Sequence, residues 1–145
     1  MYRNYQKKEK KYYKIFIMTK DNYYFIVEKR KLYKSLFFSN IFNSDKTSGN
    51  IRNPLFLKSI HSKYLKYIIE YLEYYFTNND TYFDFKKINY YDINKYFTND
   101  FDKKFFDNII NSNDKNLINN LKYFGIEKLN SKLNICEFFL NNKIN

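Results

Sequence analysis

Between Ile60 and Phe76 the apolar residues fall on one helical face: Leu65, Ile68, Ile69, Leu72 and Phe76 recur at spacings of three and four. Lys63, Lys66, Glu70 and Glu73 occupy the opposite side. Lys66 and Glu70 stand one turn apart, a pairing that contributes roughly a few tenths of a kcal/mol. Just upstream lie Pro54 and the short run Leu55–Leu57, too short for a helix and suited to a buried strand. A strand leading directly into an amphipathic helix organises the rest of the pattern.

Ile15 to Met18 is a compact strand, Asp21 and Asn22 carry turn chemistry, and Tyr24 to Val27 is a second strand; together they predict a hairpin. A helical element follows from about Lys31 to Phe42, in which Ser35 can cap a turn and Phe38, Ile41 and Phe42 share a face. Asn43 to Asn53 is a loop by composition. From Thr77 to Asp100 no period is sustained. Phe101 to Ile110 restores a short amphipathic helix, and Asn113 or Asp114 can cap the next one, with Leu117, Ile118, Leu121 and Phe124 as its apolar face. Gly125 falls where a helix C-terminus commonly needs a left-handed residue. Finally Ile126, Leu129, Leu133, Cys136 and Leu140 align on one helical stripe.

This order predicts an α+β fold: a small three-stranded sheet (about 14–18, 23–28 and 55–57) covered by five to six helices. Residues 1–13 read as a basic, disordered leader, and 14–145 as one domain with a variable excursion at about 77–100. A chain of 145 residues can build a core without metal or disulfide support. Aromatic residues make up 23% of it, all Tyr and Phe, so ring packing should dominate that core.

The net charge of +11 leaves two explanations open. It can serve an anionic partner such as nucleic acid. It can also be compositional, since lysine accumulates beside Asn, Ile and Tyr in a chain poor in Gly, Pro and Ala, as A/T-rich coding produces. Arginine, preferred for bidentate phosphate contacts, is limited to Arg3, Arg30 and Arg52. Lys7, Lys8, Lys10 and Lys11 fit either a solvated tail or a nuclear-import or RNA-touching patch. Cys136 is the only cysteine, so no intrachain disulfide can form and a reducing compartment is expected. Without a signal-peptide core or an apolar run near the ~20 residues that span a bilayer, the expected setting is soluble, in the cytoplasm or nucleus.

No enzyme constellation emerges. His61 stands alone as a helix-start histidine, and Cys136 falls on an apolar stripe as a core residue. Glu70/Glu73, Asp80/Asp84 and Asp100/Asp102 read as helix-surface and loop charges. With only Gly49 and Gly125 present, a glycine cradle for phosphate cannot be built. No catalytic residue, cofactor or metal is expected.

The element order and several strings resemble the Skp1 / elongin C branch of the BTB/POZ fold. KIFIMTKDNYYFIVEKRKLYKSLFFSNIF is similar to that family's opening strand, turn, second strand and first helix, with Phe25, Val27, Ser35, Phe38, Ile41 and Phe42 matching. Ile60, Leu65, Lys66, Ile68, Ile69 and Tyr71 match its V-x-x-x-x-L-K-x-V-I-x-Y/W helix. FDKKFF resembles W-D-x-x-F-L, and NLINNLKYFGI resembles L-I-L-A-A-N-Y-L-D-I. The likeness spans about Lys14 to Leu140. The chain departs from the family in being basic, in keeping only the tyrosine of the Asn-Tyr pair, and in ending at Asn145 before the helices that complete the family's F-box grip.

The resemblance implies a non-enzymatic adaptor of a cullin-RING, SCF-type ubiquitin ligase, bridging a cullin and an F-box-like or BC-box-like receptor helix in ubiquitin-dependent protein degradation. It places Lys122 and Tyr123 toward the cullin. Leu133, Phe138, Phe139 and Leu140 are the receptor-groove candidates, although ordinary packing against the preceding helix would also use this apolar bulk. Two other classes remain: a basic, aromatic-rich nucleic-acid-binding protein, and a self-associating BTB scaffold.

Overall fold

A computed structural model describes residues 13–80 and 96–142, so the leader up to residue 12 and most of the excursion at 77–100 lie outside the described residues. The chain divides into two compact units, residues 1–78 and 79–145. The boundary falls inside the aperiodic stretch.

In the first unit, β1 (Lys14–Thr19), β2 (Tyr24–Glu28) and β3 (Leu55–Leu57) form one three-stranded sheet in the order β2-β1-β3. β1 runs antiparallel to β2, with Ile17 opposite Phe25, and parallel to β3, with Ile17 opposite Leu55. The sheet joins the three strands that the short apolar runs predict. Ile15, Ile17 and Thr19 point inward with Val27, Leu55 and Leu57, all buried. The hairpin turns at Asn22, whose φ of 64° lies in the left-handed region that asparagine tolerates.

The helix expected from Lys31 to Phe42 is broken in two. Lys29–Leu32 is a 3₁₀ turn, and α1 runs from Leu36 to Ser44. The break has a chemical cause: Ser35 adopts an extended backbone, and its hydroxyl accepts from Phe38 N–H, starting a new helix. The loop that follows docks on the sheet, where Phe16 N–H donates to Gly49 C=O at 2.7 Å. Gly49 has φ 107°, and a Cβ there would lie 2.5 Å from Ile15 Cγ1, so only glycine fits.

α2 spans Ser62–Thr77 and buries Leu65, Ile68 and Leu72 as its stripe predicts, together with Tyr71 and Tyr75. Its start is held from 41 residues away. The Asp21 carboxylate in the hairpin turn accepts from Ser62 N–H at 2.9 Å and from the Ser62 hydroxyl, while Thr19 Oγ1 donates to it at 2.7 Å. Desolvation alone would raise the Asp21 pKa, but these hydrogen bonds outweigh it and hold the carboxyl well below the usual range. His61 is the N-cap, its Nδ1 accepting from Lys63 N–H.

The sheet's other face is apolar as well. Phe16 pairs with Ile26, and Met18 lies between Tyr24 and Phe56. Ile26 is 57% exposed, and Tyr24 and Phe56 are also exposed.

The second unit holds α3 (Asp100–Ile110), α4 (Leu117–Lys122) and α5 (Glu127–Asn142). Five α-helices are therefore present among the described residues. α5 packs against both α3 and α4. Their shared interior contains Phe105, Phe106, Ile109, Leu121, Leu129 and Leu133. Phe97 stacks on Phe106 at 4.4 Å between ring centroids.

Candidate partner-binding site

Sequence chemistry fixes the short helix α4 at both ends. Asp114 Oδ1 accepts from Asn116 N–H at 2.9 Å on the way in. At the exit, Gly125 takes φ 64° and donates its N–H to Lys122 C=O at 3.1 Å, closing the helix as the sequence predicts. Two residues later the chain enters α5. Lys122 Nζ then reaches across to Asn134 and, at 3.3 Å, to Glu137, both on α5. Asn130 Nδ2 donates to Lys122 C=O from the same helix.

Tyr123 stands on this braced corner. It is 64% exposed, while the next ring, Phe124, is 1% exposed and anchors the corner from within. A large, rigid side chain on a stiff support loses little conformational entropy when a partner covers it. Lys122 differs from Tyr123, because its charge is already engaged by Glu137.

A groove of about 320 Å³ opens near the other end of α4. Ile109, Ile118 and Leu140 give it apolar walls, and Ser112, Asp114 and Lys115 add a polar rim. This volume lies at the small end of the ~300–1,000 Å³ typical of ligand clefts and suits one or two apolar side chains. Of the groove candidates, Leu140 lines it, and Phe138 and Phe139 are half-buried. Leu133 is completely buried and belongs to the packed interior, so it offers no surface to a partner.

One constellation was not anticipated. Lys132 is fully buried, and its Nζ lies 2.8 Å from both Asp80 Oδ1 and Asp102 Oδ2. Asp80 and Asp102 are buried rather than the loop and helix-surface charges expected of them. Lys128 Nζ also donates to Asp80 C=O at 2.7 Å, so α5 grips this residue by backbone and side chain. Asp102 occupies the first turn of α3, where a carboxylate is favoured by the helix dipole, and its N–H donates to the N-cap Asn99. A signal was present in the sequence: Lys132 falls on the stripe of Leu129, Leu133 and Cys136, where a solvated lysine has no place.

Cys136 is buried as expected, and burial pushes its thiol pKa up, away from nucleophilic use. Among the described residues no group of three His, Cys, Asp or Glu side chains is placed to hold a metal ion. Among them, too, no helix is long and apolar enough to cross a membrane. No protein-family model matches the chain, and no curated protein matches it.

Proposed function

We propose that the chain is a non-enzymatic adaptor with a divergent Skp1-like BTB/POZ fold, which joins a cullin-type scaffold to a substrate-receptor helix in ubiquitin-dependent degradation. The fold part of this reading is supported by the sheet, whose β2-β1-β3 order pairs β1 antiparallel with β2 and parallel with β3 across an intervening helix. The observation that carries the functional part is Tyr123. The resemblance assigns it to the cullin side, and it is 64% exposed on a corner braced by Lys122, Asn130 and Phe124.

In this reading the mechanism is surface complementarity. Tyr123 inserts into the cullin as an aromatic anchor, and Lys122 keeps the corner rigid through Glu137. A receptor helix lays an apolar residue into the groove bordered by Leu140, with Phe138 and Phe139 extending the contact. Cytoplasm and nucleus are the compartments where such a complex works. Calorimetry with a cullin N-terminal domain tests the reading: binding is expected, and Tyr123→Ala should weaken it by more than ~1 kcal/mol. Absence of heat from a cullin domain that is folded and active toward its own adaptor would sink it.

A second reading, a self-associating BTB scaffold, is favoured by the exposed apolar side of the sheet at Tyr24, Ile26 and Phe56. Light scattering on the purified chain separates the two, because a monomer at micromolar concentration removes the scaffold reading.

A further inference from the structure

The positive charge is not evenly shared. Residues 1–78 carry 16 Lys and Arg against 6 Asp and Glu, whereas residues 79–145 carry 10 against 9. Among the described residues of the first unit the densest cationic stretch is the 3₁₀ turn and its exit. Here Lys29, Arg30, Lys31 and Lys34 occur within six residues. The stretch is ordered by aromatic rings. Lys29 Nζ lies 4.8 Å from the Phe42 ring centroid, and the Arg30 guanidinium carbon and Lys31 Nζ lie 4.8 and 5.7 Å from that of Phe76. Lys34 Nζ donates to Tyr75 C=O at 2.9 Å, at the C-terminal end of α2.

Cations laid over rings keep their aliphatic stems packed while their charged heads meet solvent. The array is therefore held in place before any partner arrives. Glu28 pairs with Arg30 at 2.7 Å, which leaves the segment Glu28–Lys34 with a formal excess of three positive charges.

Two exposed tyrosines border the array. Tyr13 is 48% exposed, with Lys29 Nζ 5.6 Å from its ring centroid, and Tyr33 is 51% exposed, with its ring edge-on to Phe42. Ordered cations next to exposed flat rings are what a single-stranded nucleic acid needs: phosphates meet the ammonium groups while unstacked bases cover the rings. An acidic peptide would use the cations and leave the rings idle. We infer that the Lys29–Lys34 turn, with Tyr13 and Tyr33, is a docking site for single-stranded nucleic acid. This site lies wholly within the first unit and does not rest on the adaptor reading.

Fluorescence anisotropy of a labelled twelve-nucleotide oligouridylate with the full chain tests this inference. With Lys29, Lys31 and Lys34 each neutralising one phosphate, log K should fall with log salt at a slope of about −2, from ~0.7 per single-strand phosphate. Lys29→Gln with Lys31→Gln should reduce that slope by about 1.4 and weaken binding at least about tenfold. Tyr33→Ala, which removes no charge, should weaken it about fivefold or more. Lys63→Gln with Lys66→Gln, on the outer side of α2, removes the same charge elsewhere and should change affinity less than about twofold. Circular dichroism confirms that each variant is folded, and Tyr33→Ala serves as the second test should the double lysine variant unfold. An equal loss in the α2 variant, or a loss confined to a Lys7/Lys8/Lys10/Lys11→Gln variant, overturns the inference. So does equal affinity for polyglutamate, which would mark the partner as an acidic protein, and so does absence of oligonucleotide binding at low salt.

Discussion

In the first unit the decisive polar groups stand at helix ends. Asp21 caps α2 from the hairpin turn, Ser35 starts α1, and Lys34 closes the C-terminal end of α2 through Tyr75 C=O. In the second unit the decisive polar group lies inside, where Lys132 and two carboxylates share the interior with Phe106, 5.9 Å from Lys132 Nζ. The contrast shows two ways of specifying a small core. Groups at helix ends satisfy backbone N–H and C=O groups that have no partner within the helix, and losing one strands no charge in the core. An internal ion cluster holds its elements only while every member is present, because each remaining charge is stranded in low dielectric.

The contrast breaks most visibly at Lys132. Lys132→Met should destabilise the protein by about 3–5 kcal/mol in urea denaturation, since two buried carboxylates lose their partner. Adding Asp80→Asn and Asp102→Asn should recover most of that loss. A cost under ~1 kcal/mol for the single variant would mean that the cluster relaxes into water, and the contrast between the units would fall.

Gly49→Ala is the next largest. The required φ of 107° and the approach to Ile15 should together cost about 1–3 kcal/mol, read as a lower urea midpoint. Stability equal to wild type would show that the loop can leave the sheet without consequence.

A third test uses pH. The Ser48 side chain, with the Ser48 and Thr47 N–H groups, holds the Asp45 carboxyl at about 2, below its ordinary 3.8. Asp21 is depressed too, desolvation being outweighed by the hydrogen bonds from Ser62 and Thr19. Folded values below unfolded ones give stabilisation that is complete above about pH 4 and is lost as pH falls toward 2. Asp45→Asn should therefore shift the urea midpoint at pH 6 but have less effect at pH 2, flattening the acid limb. An equal shift at both pH values would remove the titration argument.

Smallest is Tyr123→Ala, expected to change stability by no more than about 0.5 kcal/mol because so much of the ring is already in water. A larger thermal shift would make Tyr123 a structural residue of the second unit, and a binding defect in that variant would then say nothing about a cullin contact.

The first unit is largely legible in the sequence because its strands are compact apolar runs set off by turn residues and α2 has a clear period. Each missed detail has an identifiable source. Tyr71 and Tyr75 are core residues that a stripe of aliphatic side chains passes over, since a tyrosine body is apolar and its hydroxyl is not. The break at Tyr33–Ser35 arises because side-chain capping at Ser35 competed successfully with continuation of the helix. In the second unit, the stripe Leu129, Leu133 and Cys136 and the turn at Gly125 were readable. The grouping of Asp80 with Lys132 was not, because 52 residues separate them and nothing local in either stretch marks the pairing.

Sequence by itself determined most element types, the inward stripe of α2 and the left-handed turn at Gly125, all of which depend on neighbours within a turn or two. Tertiary structure alone decided that Asp21 would cap a helix 41 residues away and that Lys132 would be buried between two carboxylates. It also decided that the cations of the 3₁₀ turn would lie over Phe42 and Phe76. Hydrophobic periodicity is a local property of the chain, whereas the pairing of charges depends on which distant segments burial brings within about 3 Å.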